Sequence, residues 1–441
     1  MRSSSKASRA CRGRSLPATS NYGLVSTLNK PAPIITISPA RAAAFEILER
    51  IAHTDAHSDD LLHSSRLTEL SQADRNLTTT LVLGVLRWQI ALDALIQPLL
   101  SRPDVELASP VATAIRLGAF QLRYLDRIPA HAALSESVEL ARSAGHGHAA
   151  GMVNAILRKL TRTPPPRQPL VETTHALAQR LSHPEWLVTR WQKNYSRAAA
   201  IAICQYDQSP PEHAQLFADS AEADLPHIDA GSRLVAELAA ASHPAPQRIW
   251  DACAAPGGKT LILAHRHPQA ELLATDLNPR RLRNLSDRLR SAAPRARTLQ
   301  ADATQLPPEE GLFDLILCDV PCSGTGTLAR NPELKSRLQP ADLARQATRQ
   351  RAILSAALTR LAPGGRLLYS TCSLEPEENQ SVVTAVSLPT GVTQQPLDAV
   401  LESLALSRPP SEGLLREGHL RTLPGANFAG DGFFAALFAK A

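Results

Sequence analysis

Aromatic residues make up only 4% of this 441-residue chain, so its cores must be aliphatic, built on Leu, Ala, Ile and Val within a hydrophobic content of 44%. No apolar run reaches the roughly 18 residues that a membrane-spanning helix needs, which points to a soluble, cytoplasmic protein without a membrane partner. The six cysteines, Cys11, Cys204, Cys253, Cys318, Cys322 and Cys372, include no C-x-x-C pair. The chain is also too long to need a disulfide framework. Cys318 and Cys322 lack a neighbouring His or second Cys pair, so no metal is expected. The first 37 residues lack acids altogether: Arg2, Lys6, Arg9, Arg12, Arg14 and Lys30 equal the whole formal net charge of +6. The body beyond them is formally neutral, so any nucleic-acid surface on it must come from local clustering.

The length allows about three domains. Residues 1–37, rich in Ser, Arg and Ala, read as a disordered basic tail. Residues 38–162 read as a helical bundle. Ser38-Pro39 places a cap before a helix with Ala43, Ala44, Ile47, Leu48 and Ile51 on one stripe. Ser71 opens a longer helical pattern and Ser109-Pro110 another. Arg87, Arg116, Arg123, Arg158 and Lys159 form either an RNA-facing basic set or a merely solvated face. Residues 163–170, with Pro164-Pro165-Pro166, form a stiff linker. A helical, weakly patterned connecting region, 171–245, follows. From 246 to 441 strands alternate with helices, which implies a doubly wound sheet with ligands at the carboxyl ends of its strands.

Those strand ends carry the chemistry. Ile249-Trp250-Asp251 runs into Cys253-Ala254-Ala255-Pro256-Gly257-Gly258-Lys259. The loop is not a Walker A motif, which needs Gly where Cys253 stands, and it is not G-x-G-x-x-G. It still brings backbone close to a ligand at a helix start. Asp276 lies about one βα unit on, where an acid binds ribose hydroxyls, and Asp302 follows the third strand. Glycine loop, ribose acid and adenine-side acid together suggest S-adenosyl-L-methionine as cofactor.

The fourth strand, Phe313–Cys318, leads into Asp319-Val320-Pro321-Cys322-Ser323-Gly324, and a second thiol, Cys372, follows the apolar run before it. A thiolate, an acid and a methyl donor suit carbon-5 of cytosine, itself a poor nucleophile. Thiolate addition at carbon-6, with protonation at N3 by Asp319, makes carbon-5 an enamine-like carbon that attacks the methyl group. The base must be flipped out of its stack. Chemistry alone leaves open whether Cys322 or Cys372 attacks. Cys204, Cys253 and Cys318 read as structural.

Two resemblances add to this. Gly84–Trp88, Arg116–Leu122, Ile128–Ala133 and Val153–Arg158 make 38–162 similar to the NusB-like RNA-binding domain. Asp251–Thr260, Asp319–Gly326, Arg330-Asn331-Pro332-Glu333, Tyr369–Ser373, Glu377-Glu378-Asn379 and Asp431–Phe434 make the catalytic half resemble the RNA 5-methylcytosine methyltransferases of the RsmB, Sun and Fmu group. The resemblance implies an all-α NusB-like domain followed by a Rossmann-like class I S-adenosylmethionine-dependent methyltransferase domain acting on 16S rRNA at a position-967-type cytosine; separately, a monomer is expected. It implies Cys372 as nucleophile and Cys322 as the group assisting product release. It also implies Cys253 to Lys259, Asp276, Asp302 and Asp319 as contacts to the donor or the base. The family usually has a small α/β module after the helical half; here His213–Phe217 stands at that point and the module is shortened. The same chemistry on tRNA, and a catalytically silent NusB-like assembly factor, are the rival expectations.

Overall fold

A computed structural model describes residues 36–164, 172–210, 216–217, 225–226, 228–404, 406 and 413–441. The basic tail through residue 35, most of the Pro-rich linker and His213–Gln215 of the shortened module lie outside the described residues.

Six helices form the first half: α1 (Pro39–His53), α2 (Ser58–Leu62), α3 (Gln72–Ile96), α4 (Ser109–Tyr124), α5 (Ala130–Ser143) and α6 (Ala150–Arg162). Ser71 caps α3 by accepting from the Asp74 amide, 3.1 Å. Ser38 precedes α1 as expected but leaves its amides uncapped. Its hydroxyl donates instead to Glu136, 2.7 Å, which also takes Arg41 at 2.9 Å and so pins α1 to α5. With the turn that continues it, α3 spans 28 residues and has the length and hydropathy of a membrane span, yet half of its most apolar window is buried. Leu81, Val85 and Leu92 of α3 belong to one aliphatic core with Ile47, Ile115 and Leu157.

Four helices connect the halves: α7 (Thr174–Arg180), α8 (Glu185–Asn194), α9 (Arg197–Tyr206) and α10 (Ala230–Ala241). Leu187, Trp191 and Ile203 from α8 and α9 pack with Leu328 and Leu374. Each of those two leucines stands just beyond one of the thiol-bearing loops.

The second half runs β1 (Arg248–Asp251), α11 (Gly258–Arg266), β2 (Glu271–Asp276), α12 (Pro279–Ala292), β3 (Ala296–Gln300), β4 (Phe313–Asp319), α13 (Leu334–Arg337), α14 (Pro340–Thr359), β5 (Leu361–Thr371), α15 (Gln380–Ala385), β6 (Val392–Gln395), α16 (Asp398–Glu402), β7 (Leu415–Arg416), β8 (His419–Arg421) and β9 (Phe434–Lys440). The sheet order is β3-β2-β1-β4-β5-β9-β8-β7, with β6 also on β9. The first five strands are parallel; β9 joins β5 antiparallel. Side chains alternate across the sheet. Leu315 and Leu317 of β4 meet α10 to α12 on one face, and Ile316 and Cys318 meet α14 on the other. Register pairs Asp319 with Ser370, so β4 and β5 deliver their loops side by side.

The two halves are bolted together by one segment, Ala329 to Arg337. Arg87, expected on an RNA-facing or solvated face, is instead buried and donates to the Ala329 carbonyl, 2.7 Å. Burial lowers its pKa to about 10 against the pull of Asp207. Arg116 of the same set is tied bidentately to Asp93, 2.7 and 2.9 Å. Arg337 donates to the carbonyls of Ile51, Thr54 and Ala56, satisfying the end of α1 and the turn after it. Glu333, fully buried, accepts from the Ser58 amide (3.2 Å) and hydroxyl (2.9 Å) and lies 3.3 Å from His57 Nδ1. Burial alone would raise its pKa, but the bonds from His57 and Ser58 hold it below the ordinary 4.5. A carboxylate with a depressed folded pKa stabilises fully above its unfolded value and loses that contribution as pH falls through the folded one. Glu333→Ala strands the Ser58 donors and is expected to destabilise the chain by about 2–4 kcal/mol at neutral pH. Urea unfolding checks this; a loss under about 0.5 kcal/mol, the range of ordinary surface substitutions, would count against it.

Candidate active site

Trp250, Ile249 and Asp251 end β1 inside the sheet, and the chain then turns across Ala252 to Gly257. Gly257 has φ of 102°, and a Cβ there would sit 2.3 Å from Leu285; only glycine suits that left-handed position. Asp251 is buried and accepts from Thr260 Oγ1, 2.7 Å. Burial outweighs that bond and lifts its pKa to about 7.

Asp276, at the end of β2, accepts from the Ala255 amide (3.3 Å) and the Asn278 amide (2.8 Å), tying the glycine loop to the next strand. Asp302 stands after β3, exposed, with one oxygen taken by Thr304. Cys253, Asp276 and Asp302 line one cavity of about 480 Å³ together with Pro321 and Arg349. Of the expected donor residues, these three share that cavity; Ala254 to Lys259 and Asp319 are not among its lining. The second oxygen of Asp302 has no partner among the described residues, and the wall combines Ala252 and Cys253 at the start of the glycine loop with two carboxylates. That donor set fits a nucleoside, whose ribose and adenine offer hydroxyls and an amine. No group of His, Cys, Asp and Glu able to hold a metal occurs among the described residues.

Lys259, assigned from sequence to the donor loop, reaches further. Its Nζ lies 2.7 Å from Asp319 and 3.3 Å from Ser232, and 5.0 Å from the centre of the Phe433 ring. Burial alone would lower its pKa, but Asp319 outweighs this and raises it; Cys372 acts in the same direction. Asp319 also accepts from Ser370 Oγ, 2.8 Å.

Cys322 and Cys372 meet at 3.3 Å between sulfurs, and both are partly exposed. The hydrogen bond with Cys372 and burial push the Cys322 pKa well up, with the Glu378 carboxylate adding to this. Cys204 and Cys318 are fully buried. Behind the pair, Gly326 donates to the Cys372 carbonyl (2.9 Å) and accepts from the Gly432 amide (2.7 Å). A Cβ on Gly326 would fall 2.2 Å from the Gly432 carbonyl oxygen, so the loops touch backbone to backbone.

Reading by sequence missed Ser370, Ser323, Ser373 and Gln350, and gave Glu378 no role. Ser323 and Ser373 each follow a thiol, but their shared partner lies 55 residues from the first of them, beyond any spacing rule.

The family model described as 16S rRNA methyltransferase RsmB/F matches residues 239–439, and that of the NusB family matches 38–162. The ribosomal RNA small subunit methyltransferase B of Salmonella arizonae is 31% identical over 91% of this chain and 98% of that protein. The Bacillus subtilis protein named "Probable ribosomal RNA small subunit methyltransferase B" is 32% identical over the same shares. A solved structure, PH0851, has the same fold, with a TM-score of 0.71 and 21% identity over 92% of this chain and all of that one. A NusB helical domain, a methyltransferase domain with a mixed sheet, and relatives matched along nearly their whole length place the chain in the RsmB family of methyltransferases.

Proposed function

We propose that this chain methylates carbon-5 of a cytosine in small-subunit ribosomal RNA, of the position-967 type, with S-adenosyl-L-methionine as donor. The observation that carries the reading is the pair of sulfurs 3.3 Å apart beside the Lys259–Asp319 ion pair. The donor, when bound, supplies an electrophilic methyl group to carbon-5. Cys372, as thiolate, adds to carbon-6 of the flipped base. The proton for N3 is drawn from the Lys259–Asp319 pair and returns there when the sulfur–carbon bond breaks. Cys322, as a thiolate, takes the carbon-5 proton and so assists release. Cys253 to Lys259, Asp276 and Asp302 would hold the donor.

RNA as partner has support in charge. Residues 279–297 hold seven arginines and one acid, Asp287, within a body that is otherwise formally negative. Arg280, Arg281 and Arg283 of α12 are exposed and their side chains have no partner among the described residues. That is the local clustering a neutral body requires.

Bisulfite sequencing of RNA from a deletion strain against wild type tests the reading: one small-subunit cytosine should lose protection. Loss in a tRNA instead redirects the substrate, and RNA binding without any methyl transfer supports a silent assembly factor. Asp276→Ala should weaken donor binding by roughly tenfold to a hundredfold, the range for a hydrogen bond to a charged group. Unchanged calorimetric affinity removes Asp276 from the site.

A further inference from the structure

Glu378 sits in the turn between β5 and α15, fully buried. It accepts from the Ser323 amide at 2.8 Å, from the Ser323 and Ser373 hydroxyls, and from Gln350 Nε2 at 3.0 Å. Ser323 and Ser373 are the residues directly after Cys322 and Cys372. Their own hydroxyls lie 3.0 Å apart. Gln350, reaching in from α14, also donates to the carbonyl of Pro321, the residue just before Cys322 (2.9 Å). The Glu378 carbonyl accepts from Tyr369 Oη, 2.7 Å. The next residue, Asn379, accepts from Thr371 and donates to the Ser373 carbonyl, 2.8 Å. One carboxylate therefore grips the backbone or hydroxyl beside each thiol, from the side away from solvent.

This goes beyond holding a loop. β4 and β5 deliver the two cysteines from neighbouring strands, and strand register brings their backbones together. It does not fix the separation of two side chains on the loops beyond. A carboxylate is acceptor-only, so it orients every donor around it the same way. A misplacement of about 1 Å in a reacting pair is enough to slow chemistry about a hundredfold. We propose that Glu378 is a positioning residue that sets the distance between the Cys322 and Cys372 sulfurs. The inference rests on the reading that both thiols act on the base, but its first test needs neither RNA nor donor.

That test is the rate at which the two thiols form a disulfide under diamide. Two thiol hydrogens pass to the N=N bond of the reagent, giving a hydrazine, and one S–S bond forms. Peptide mass mapping should find the wild-type link as a loss of two hydrogens. In Glu378→Gln, which keeps size and shape, the rate should fall by at least about tenfold. The kcat for methyl transfer should fall at least as far, with donor and RNA dissociation constants within about twofold of wild type. If Glu378→Gln does not fold, Ser323→Ala and Ser373→Ala each remove one grip, and each should slow disulfide formation about threefold or more. Wild-type disulfide rates in the folded variants would overturn the proposal. A wild type that forms the disulfide readily yet methylates no RNA would count against the proposed function and leave the positioning role standing.

Discussion

Cys372→Ala is expected to abolish methyl transfer from labelled donor to RNA, a loss of at least about 10³-fold. Without addition at carbon-6, carbon-5 of cytosine has almost no nucleophilic character, and neither proximity nor the donor replaces it. The loss should appear in kcat, because the sulfur contributes to the covalent step and not to docking. Donor affinity should stay within about twofold of wild type, since Asp276, Asp302 and the glycine loop are untouched. The proposal gives this role to Cys372 from the family resemblance, and its surroundings suit it. It follows β5 beside the Lys259–Asp319 ion pair, and its sulfur lies 3.3 Å from that of Cys322, close enough for both to reach one base. Full activity in Cys372→Ala would end the nucleophile assignment.

Cys322→Ala should give the opposite phenotype: a covalent RNA–protein adduct that survives denaturing electrophoresis. The attacking sulfur is still present, so addition proceeds. On the proposed function, what is lost is the sulfur 3.3 Å away that, as thiolate, takes the carbon-5 proton, and with it the expulsion of Cys372. Turnover should drop by about 10²–10⁴-fold, the range typical of a lost acid–base group. Mass mapping should find the nucleotide on Cys372. If Cys372→Ala traps the adduct and Cys322→Ala does not, the two roles are exchanged.

The order of strands and helices, the α/β class and the helical first half were legible from periodicity and punctuation. So was the set of strand-end residues, because a doubly wound sheet puts ligands there regardless of detail. Side-chain partnership across long separations was not legible. Arg87 looks like any arginine on an amphipathic helix; only packing reveals that its guanidinium serves a carbonyl 242 residues away. Lys259 sits in a loop read as donor-binding, yet its ammonium spans to Asp319, because β1 and β4 are neighbours in the sheet. Glu378 was one of a run of acids, and the donors it gathers come from three separate elements. The short β6 and β7 also escaped notice: four and two residues are too few for an alternating pattern to show.

The Ala329–Arg337 segment has a consequence for how the enzyme measures its target. It leaves the Cys322 loop and is immediately anchored to α1, α2 and α3 through Arg337, Glu333 and Arg87. The helical half is thus bonded to the chain that follows the Cys322 loop, in addition to its covalent linker. These bonds oppose any change in the span from the helical surface to the thiols, as the clamp on a caliper does. On the proposed function, an RNA that touches both the helical half and the thiols meets two surfaces joined through this segment and not through the linker alone.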